Sequence, residues 1–286
     1  MKLSLNSARL GAGKLDLRAF VDLAARHGFS GVDTGVGAAK QLVNDCGDVL
    51  AANDYLLEKS VALATFGFDP EWRYDDNAKF ADGMANLPAQ AELMASLGAT
   101  RCLTWMPPSG DVPQSAWLAR TAKRFTEAAT VLGDHGIRFG LEWVGSHHLR
   151  ADGANPMGKY PSVHDLAGAL ELIAQTGQDN IGLLVDSYHI YTTGAGEAEV
   201  AALTDAQIVH VHINDAPKGV GRAGAKDGER LLPGAGEIDL AGFLRGLRTA
   251  GYTGYIAAEI LAPQDIALTA EEATDKVRTA LRNLAL

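Results

Sequence analysis

The chain has 286 residues, 47% of them hydrophobic and 21% charged, with a formal net charge of −10. That is enough apolar sequence for one large core or two small ones, and the acidic balance argues against a surface built to neutralise phosphates, so no nucleic-acid partner is expected. Cys46 and Cys102 make neither a metal spacing nor a disulfide framework, and no long apolar run or cleavable leader is found, so a cytoplasmic protein with no membrane partner is expected.

In chain order, the period-2 pattern predicts strands at Lys2–Ser7, Gly31–Thr34, Val61–Gly67, Arg101–Trp105, Arg138–Trp143, Ile181–Ser187, Ile208–Ile213 and Tyr255–Ile260. Amphipathic helical stretches separate them. In "DLRAFVDLAARHG", Leu17, Phe20, Val21 and Ala24 form one stripe; in "AWLARTAKRFTEAATVLGDHG", Trp117, Ala128 and Leu132 sit among polar residues. Five junctions, "RHGFSGVDTG", "SLGATRCLTW", "DHGIRFGLEW", "QTGQDNIGLLVD" and "TAGYTGYIAAE", place a glycine where a helix stops before the next strand. Strict alternation with eight strands predicts a single (β/α)8 TIM barrel domain over 1–286. An open doubly wound sheet is the rival. The "ARLGAGKLD" after the first strand lacks the rest of a dinucleotide or P-loop pattern and reads as a turn.

Four late strands carry an ionisable residue at or near their last position. Glu142 shares its face with Gly140, Asp186 with Gly182 and Leu184, His212 with His210, and Glu259 with Ala257. The opposite faces are apolar: Phe139, Leu141 and Trp143; Leu183 and Val185; Val209, Val211 and Ile213; Ile256, Ala258 and Ile260. Those faces would pack on the helices and turn the charged residues into the barrel mouth, where the active site of such a fold lies. Carboxylates converging in a low dielectric need a positive partner, and a divalent metal answers the need. Three oxygen donors and one imidazole suit Mn²⁺ first, with Mg²⁺, Co²⁺ and Zn²⁺ as alternatives, and no organic cofactor is implied.

At "LEW", "VDSYH", "HVHINDA", "RLLPGAGEID" and "AAEI" the chain resembles the sugar phosphate isomerase/epimerase group, the xylose isomerase-like TIM barrels that include ketose 3-epimerases, inosose isomerases and dehydratases, and endonuclease IV. The resemblance implies that Glu142, Asp186, His212 and Glu259 bind the metal, with Glu142 and Glu259 serving also as acid and base. It further implies that His189 and Arg230 contact substrate oxygens. Trp105, followed by "MPPSG", is read as a wall of the sugar site, with rim packing as the other reading.

The expected function is therefore a metal-dependent isomerase of carbohydrate metabolism, a ketose or inosose epimerase or aldose–ketose isomerase working through an enediolate. The expected partner is a small sugar or polyol, and a homo-oligomer is compatible with the chain. A lyase or dehydratase on a keto-sugar or inosose, including C-glycoside elimination, is the alternative. An endonuclease IV-like repair enzyme is remote, since "LATFGF" and "GVDTG" offer no histidine and "DGER" stands where that family carries D-x-H. His210 reads as a layer beneath His212, Asp215 either as an orienting group or as a turn cap, and His147 and His148 either as lid or as solvent-facing residues.

Overall fold

In the computed structural model, which describes residues 1–9, 14–261 and 268–286, eight parallel strands close into a barrel. They are β1 (Lys2–Leu5), β2 (Gly31–Thr34), β3 (Ala62–Gly67), β4 (Arg101–Met106), β5 (Arg138–Trp143), β6 (Ile181–Asp186), β7 (Ile208–Ile213) and β8 (Tyr255–Ala258). Each strand pairs with its sequence neighbours, and β8 closes the ring on β1. The (β/α)8 expectation holds. The glycines of the five helix-to-strand junctions, Gly28, Gly98, Gly136, Gly177 and Gly251, all take positive φ, the left-handed turn that lets a helix reverse into a strand. Part of the "ARLGAGKLD" turn, residues 10–13, lies outside the described residues.

Local sequence starts the helices. Asp16, Asp48, Asp76, Asp165 and Asp239 each accept a hydrogen bond from the backbone N–H three residues on. The expected stripe of the Leu17–Arg26 helix is buried, as are Trp117, Ala128 and Leu132 of the Gln114–Asp134 helix. Outward strand residues such as Phe139, Leu141, Trp143, Val185 and Ile213 pack beneath these helices. A short ribbon, Ser109–Gly110 against Tyr160–Pro161, joins the loops after β4 and β5.

Two register shifts mark the barrel where it carries the polar residues. One lies between Val32 and Asp33 and sets Asp33 beside Thr65. The other lies between Leu183 and Leu184, and beyond it Asp186 stands level with His212. That second shift corrects the expected alternation of β7. Val209 does not join Val211 on the helix-facing side: a Cβ at Gly140 would lie 3.1 Å from Val209 Cβ, and one at Gly182 3.0 Å from its Cγ2. Gly140 faces the interior with Glu142, so Val209 fills interior space that the two glycines leave open.

Candidate metal centre

The sequence brings Glu142, Asp186, His212 and Glu259 to one place. One donor atom from each lies within 4.8 Å of all the others, at the C-terminal mouth of the barrel. His212 Nδ1 is the hub, 3.6 Å from Glu142 Oε1, 3.9 Å from Asp186 Oδ2 and 3.4 Å from Glu259 Oε2. Strand ends explain the placement. Glu142 is the inward residue before the end of β5, His212 holds the same place on β7, and Glu259 follows the last residue of β8. Asp186 ends β6 and also caps the helix Ser187–Thr193, its Oδ1 accepting from Tyr188 N–H at 2.6 Å. That leaves Oδ2 turned toward the centre.

Burial makes this gathering electrostatically demanding. Glu142 Oε1 and His212 Nδ1 are buried without a hydrogen-bond partner. Two acceptor-capable atoms facing each other out of reach of water fit a cation between them. Burial and the neighbouring Glu259 charge push the Glu142 carboxyl upward, against the downward pull of the nearby His212 ring. Burial would also raise Glu259, but the charges of His212 and Arg230 hold it below the usual carboxylate range. For His212, burial works downward and is overcome by Glu259, Asp33 and Glu142, which hold the ring well above its ordinary value.

Behind His212 lies Asp33, whose Oδ2 is 3.7 Å from His212 Nε2 and 3.4 Å from His210 Nε2. Asp33 accepts hydrogen bonds from Ser4 Oγ at 2.7 Å and Asn6 Nδ2 at 3.0 Å. His212 thus turns one nitrogen to the carboxylates of the mouth and the other to Asn6 Nδ2 at 3.5 Å, with the Asp33 carboxylate just beyond. A cavity of about 660 Å³ opens over β1–β3 and reaches His212 and Glu259, with Asn6, Asp33, Thr65 and Leu103 in its wall. That size suits a small ligand.

A family model described as xylose isomerase-like TIM barrel matches residues 21–284. The chain belongs to that family. Over its full length the xylose isomerase-like barrel is 35% identical to a xylose isomerase domain protein from Alicyclobacillus acidocaldarius, with a TM-score of 0.88 and 99% and 98% of the two chains covered. The IOLI protein, solved with a binding zinc atom, shares the fold at 21% identity and a TM-score of 0.81, with the same coverage. An inosose isomerase of Halalkalibacterium halodurans is 28% identical over 151 residues, 52% of this chain and 48% of that protein. The chain therefore spans about half the length of the curated relatives it matches.

In this xylose isomerase-like barrel, His189 and Arg230 reach the centre. His189 is fully buried, its Nδ1 accepts from Gly145 N–H at 3.2 Å, and its Nε2 lies 3.9 Å from Glu142 Oε1. With Nδ1 an acceptor, Nε2 carries the proton and points it inward. Arg230 donates through Nη1 to Asp186 Oδ2 at 2.8 Å and Glu259 Oε2 at 2.5 Å, and through Nη2 to Asp227 Oδ1 at 2.9 Å. These contacts bridge acids of the mouth and of the loop after β7. Trp105 stands in register with Glu142 on the neighbouring strand and is 39% exposed. It lines a separate cavity of about 220 Å³ with Tyr74 and Met157, and the Arg73 guanidinium lies 4.3 Å from its ring.

His210 lies beside His212, ring centroids 5.2 Å apart, with its Nε2 3.4 Å from Asp33 Oδ2. Asp215 is the cap: its carboxylate accepts from the backbone N–H groups of Ala216, Gly234, Gly236 and Ile238, tying the long loop after β7 into place. His147 sits in a 3₁₀ turn with Nε2 at 3.0 Å from Thr192 O, and burial lowers the pKa of its neighbour His148. Sequence reasoning missed Asp33, Asn6, Asn214 and Asp227. Asp33 was findable, since it shares its strand face with Gly31 just as Glu142 does with Gly140. Asn214 donates to both oxygens of Asp186 from beyond the end of β7, where no periodicity announces it.

Proposed function

We propose that the protein is a divalent-metal-dependent isomerase or epimerase of a keto-sugar or inosose. The observation that carries the proposal is the convergence of three carboxylates and one imidazole on a buried point where two of the donor atoms have no partner. Glu142, Asp186, His212 and Glu259 would hold the ion, with Mn²⁺ the first choice for this donor set. When bound, the ion supplies Lewis acidity that stabilises negative charge developing on the substrate as it passes through an enediolate.

The chain's own residues do the rest. Glu142 and Glu259 approach His212 from β5 and from just past β8, and β6 and β7 separate those two strands around the barrel. One can take the proton next to the carbonyl while the other returns a proton to the opposite face or to the adjacent carbon. His189 offers its inward N–H to a substrate oxygen. The Arg230 guanidinium adds fixed positive charge where the enediolate oxygens gather electrons. Trp105 would wall the sugar where the mouth opens beside Glu142. The unpaired Cys46 and Cys102 support a reducing, cytoplasmic setting.

The test is incubation of Mn²⁺-loaded protein with a panel of ketoses and inososes in D₂O. Deuterium fixed on carbon together with an epimerised or isomerised product supports the proposal. Loss of water or of a C-linked group identifies a lyase instead. Full metal occupancy with no exchange in any substrate refutes both.

A further inference from the structure

Beside the proposed centre the protein holds a cation without a close counter-charge. The Arg73 side chain, in the loop after β3, is 18% exposed, and among the described residues the carboxylate nearest its guanidinium is Glu71, 3.9 Å from Nη1. Glu71 is itself 36% exposed, and its Oε1 already accepts from the Arg73 backbone N–H at 3.0 Å. The guanidinium donates through Nη2 to Thr104 Oγ1 at 3.0 Å, a neutral acceptor that also takes the Trp72 indole N–H at 2.9 Å. Its Nε is buried without a hydrogen-bond partner, and burial pushes the group below its ordinary pKa. A cation so placed is costly until an anion completes it.

We propose that a carboxylate of the substrate completes it, in the cavity of about 220 Å³ that Arg73 lines with Trp105, Met157, Arg120, Asp75 and Asp111. The keto-sugar is then an acid. The proposal rests on the isomerase reading above and names its substrate class. Trp105 ties the cavity to the centre: its Cα pairs with that of Glu142, and paired strands lie about 4.8 Å apart. The fold holds the guanidinium in place, its Cζ 4.3 Å from the Trp105 ring centroid and 5.1 Å from that of Trp72, with Arg120 Nη2 donating to Arg73 O at 3.3 Å. Arg120 is already matched, its Nη1 3.3 Å from Asp75 Oδ1, and Asp111 is exposed. Those two acids on the wall would repel a phosphate dianion more than a carboxylate monoanion, and a planar carboxylate matches the guanidinium fork.

Equilibrium binding tests this without recourse to turnover. Isothermal titration sets D-glucuronate against D-glucose and D-galacturonate against D-galactose, with the phosphate ester of each parent at the same carbon as a third arm. In wild type at least one acid should bind about tenfold or more tightly than its neutral parent, the scale of one hydrogen bond to a charged group, and more tightly than the phosphate ester. Arg73→Gln and Arg73→Met should erase that margin, with circular dichroism following the fold; the Met variant keeps an unbranched stem against the Trp72 and Trp105 rings should the Gln variant not fold. The proposal is overturned if no acid outbinds its parent in wild type, if the margin survives in a folded neutral variant, or if the phosphate ester binds tightest. Titrations with and without Mn²⁺ keep the two readings apart: protein that binds no Mn²⁺ brings down the metal reading, while the Arg73 comparison still stands.

Discussion

The two halves of the barrel mouth are built on opposite principles. From β5 to the end of β8 come Glu142, Asp186, His212 and Glu259, an acidic set buried around a point that could hold a cation. From β1 to β4 come Asn6, Thr65, Leu103 and Trp105, which are neutral, and Asp33, whose oxygens already serve Ser4 and Asn6. The first half concentrates charge, and the second provides a cavity wall. They meet at His212, whose ring turns one nitrogen to each. The comparison teaches that polarity in a barrel mouth is informative only with its partners: Asp33 is an acid whose oxygens both accept hydrogen bonds, whereas Glu142 keeps a buried oxygen with no partner.

The largest expected effect lies in the charged half. Glu142→Gln and Glu259→Gln should each lower turnover by about 10²–10⁴-fold, the usual span for loss of a positioned acid or base. Bound metal must be measured alongside rate, since each change also removes a donor, and a variant with full metal and full rate would break the division of labour. Next comes the junction. Asp33→Asn keeps the size of the side chain and removes the charge behind His212, and it should weaken metal binding by about 10–100-fold, as loss of a ligand-orienting partner does. Isothermal titration with Mn²⁺ checks this, and an unchanged affinity would show that Asp33 belongs to the wall alone. The smallest effect is in the floor. A Cβ at Gly182 would come 2.6 Å from Gln207 O, so Gly182→Ala should cost about 1–3 kcal/mol of stability through overpacking. Thermal unfolding reads it, and a neutral result would mean that the β6–β7 register, which sets Asp186 level with His212, has slack.

Much of the charged half was legible before any coordinates. Glu142, Asp186 and His212 share strand faces with residues whose period is plain, and a strand's side chains have no choice but to alternate. Glu259 falls one residue beyond its strand, yet the same phase carries it inward. Val209 was misread for a physical reason: a shift in register on the paired strands breaks alternation locally, and nothing in "IVHVHI" signals it. The predicted strand ends at Ser7 and Ile260 overran the observed ends at Leu5 and Ala258, because a strand stops where its neighbours stop pairing.

What the sequence determined by itself is the set of periodic facts: eight strands, the helices between them, the glycine turns and the phase that points four ionisable groups to one side. Those are local, since they follow from backbone geometry within a few residues. Only the tertiary structure decided that Arg230 enters the carboxylates, that Asp33 stands behind His212, and that Asp215 serves the loop and not the centre. Each of these contacts joins residues brought together by loop geometry or by a neighbouring strand. Charge pairing at 3 to 4 Å depends on where separate segments meet, and no repeat within one segment encodes that distance.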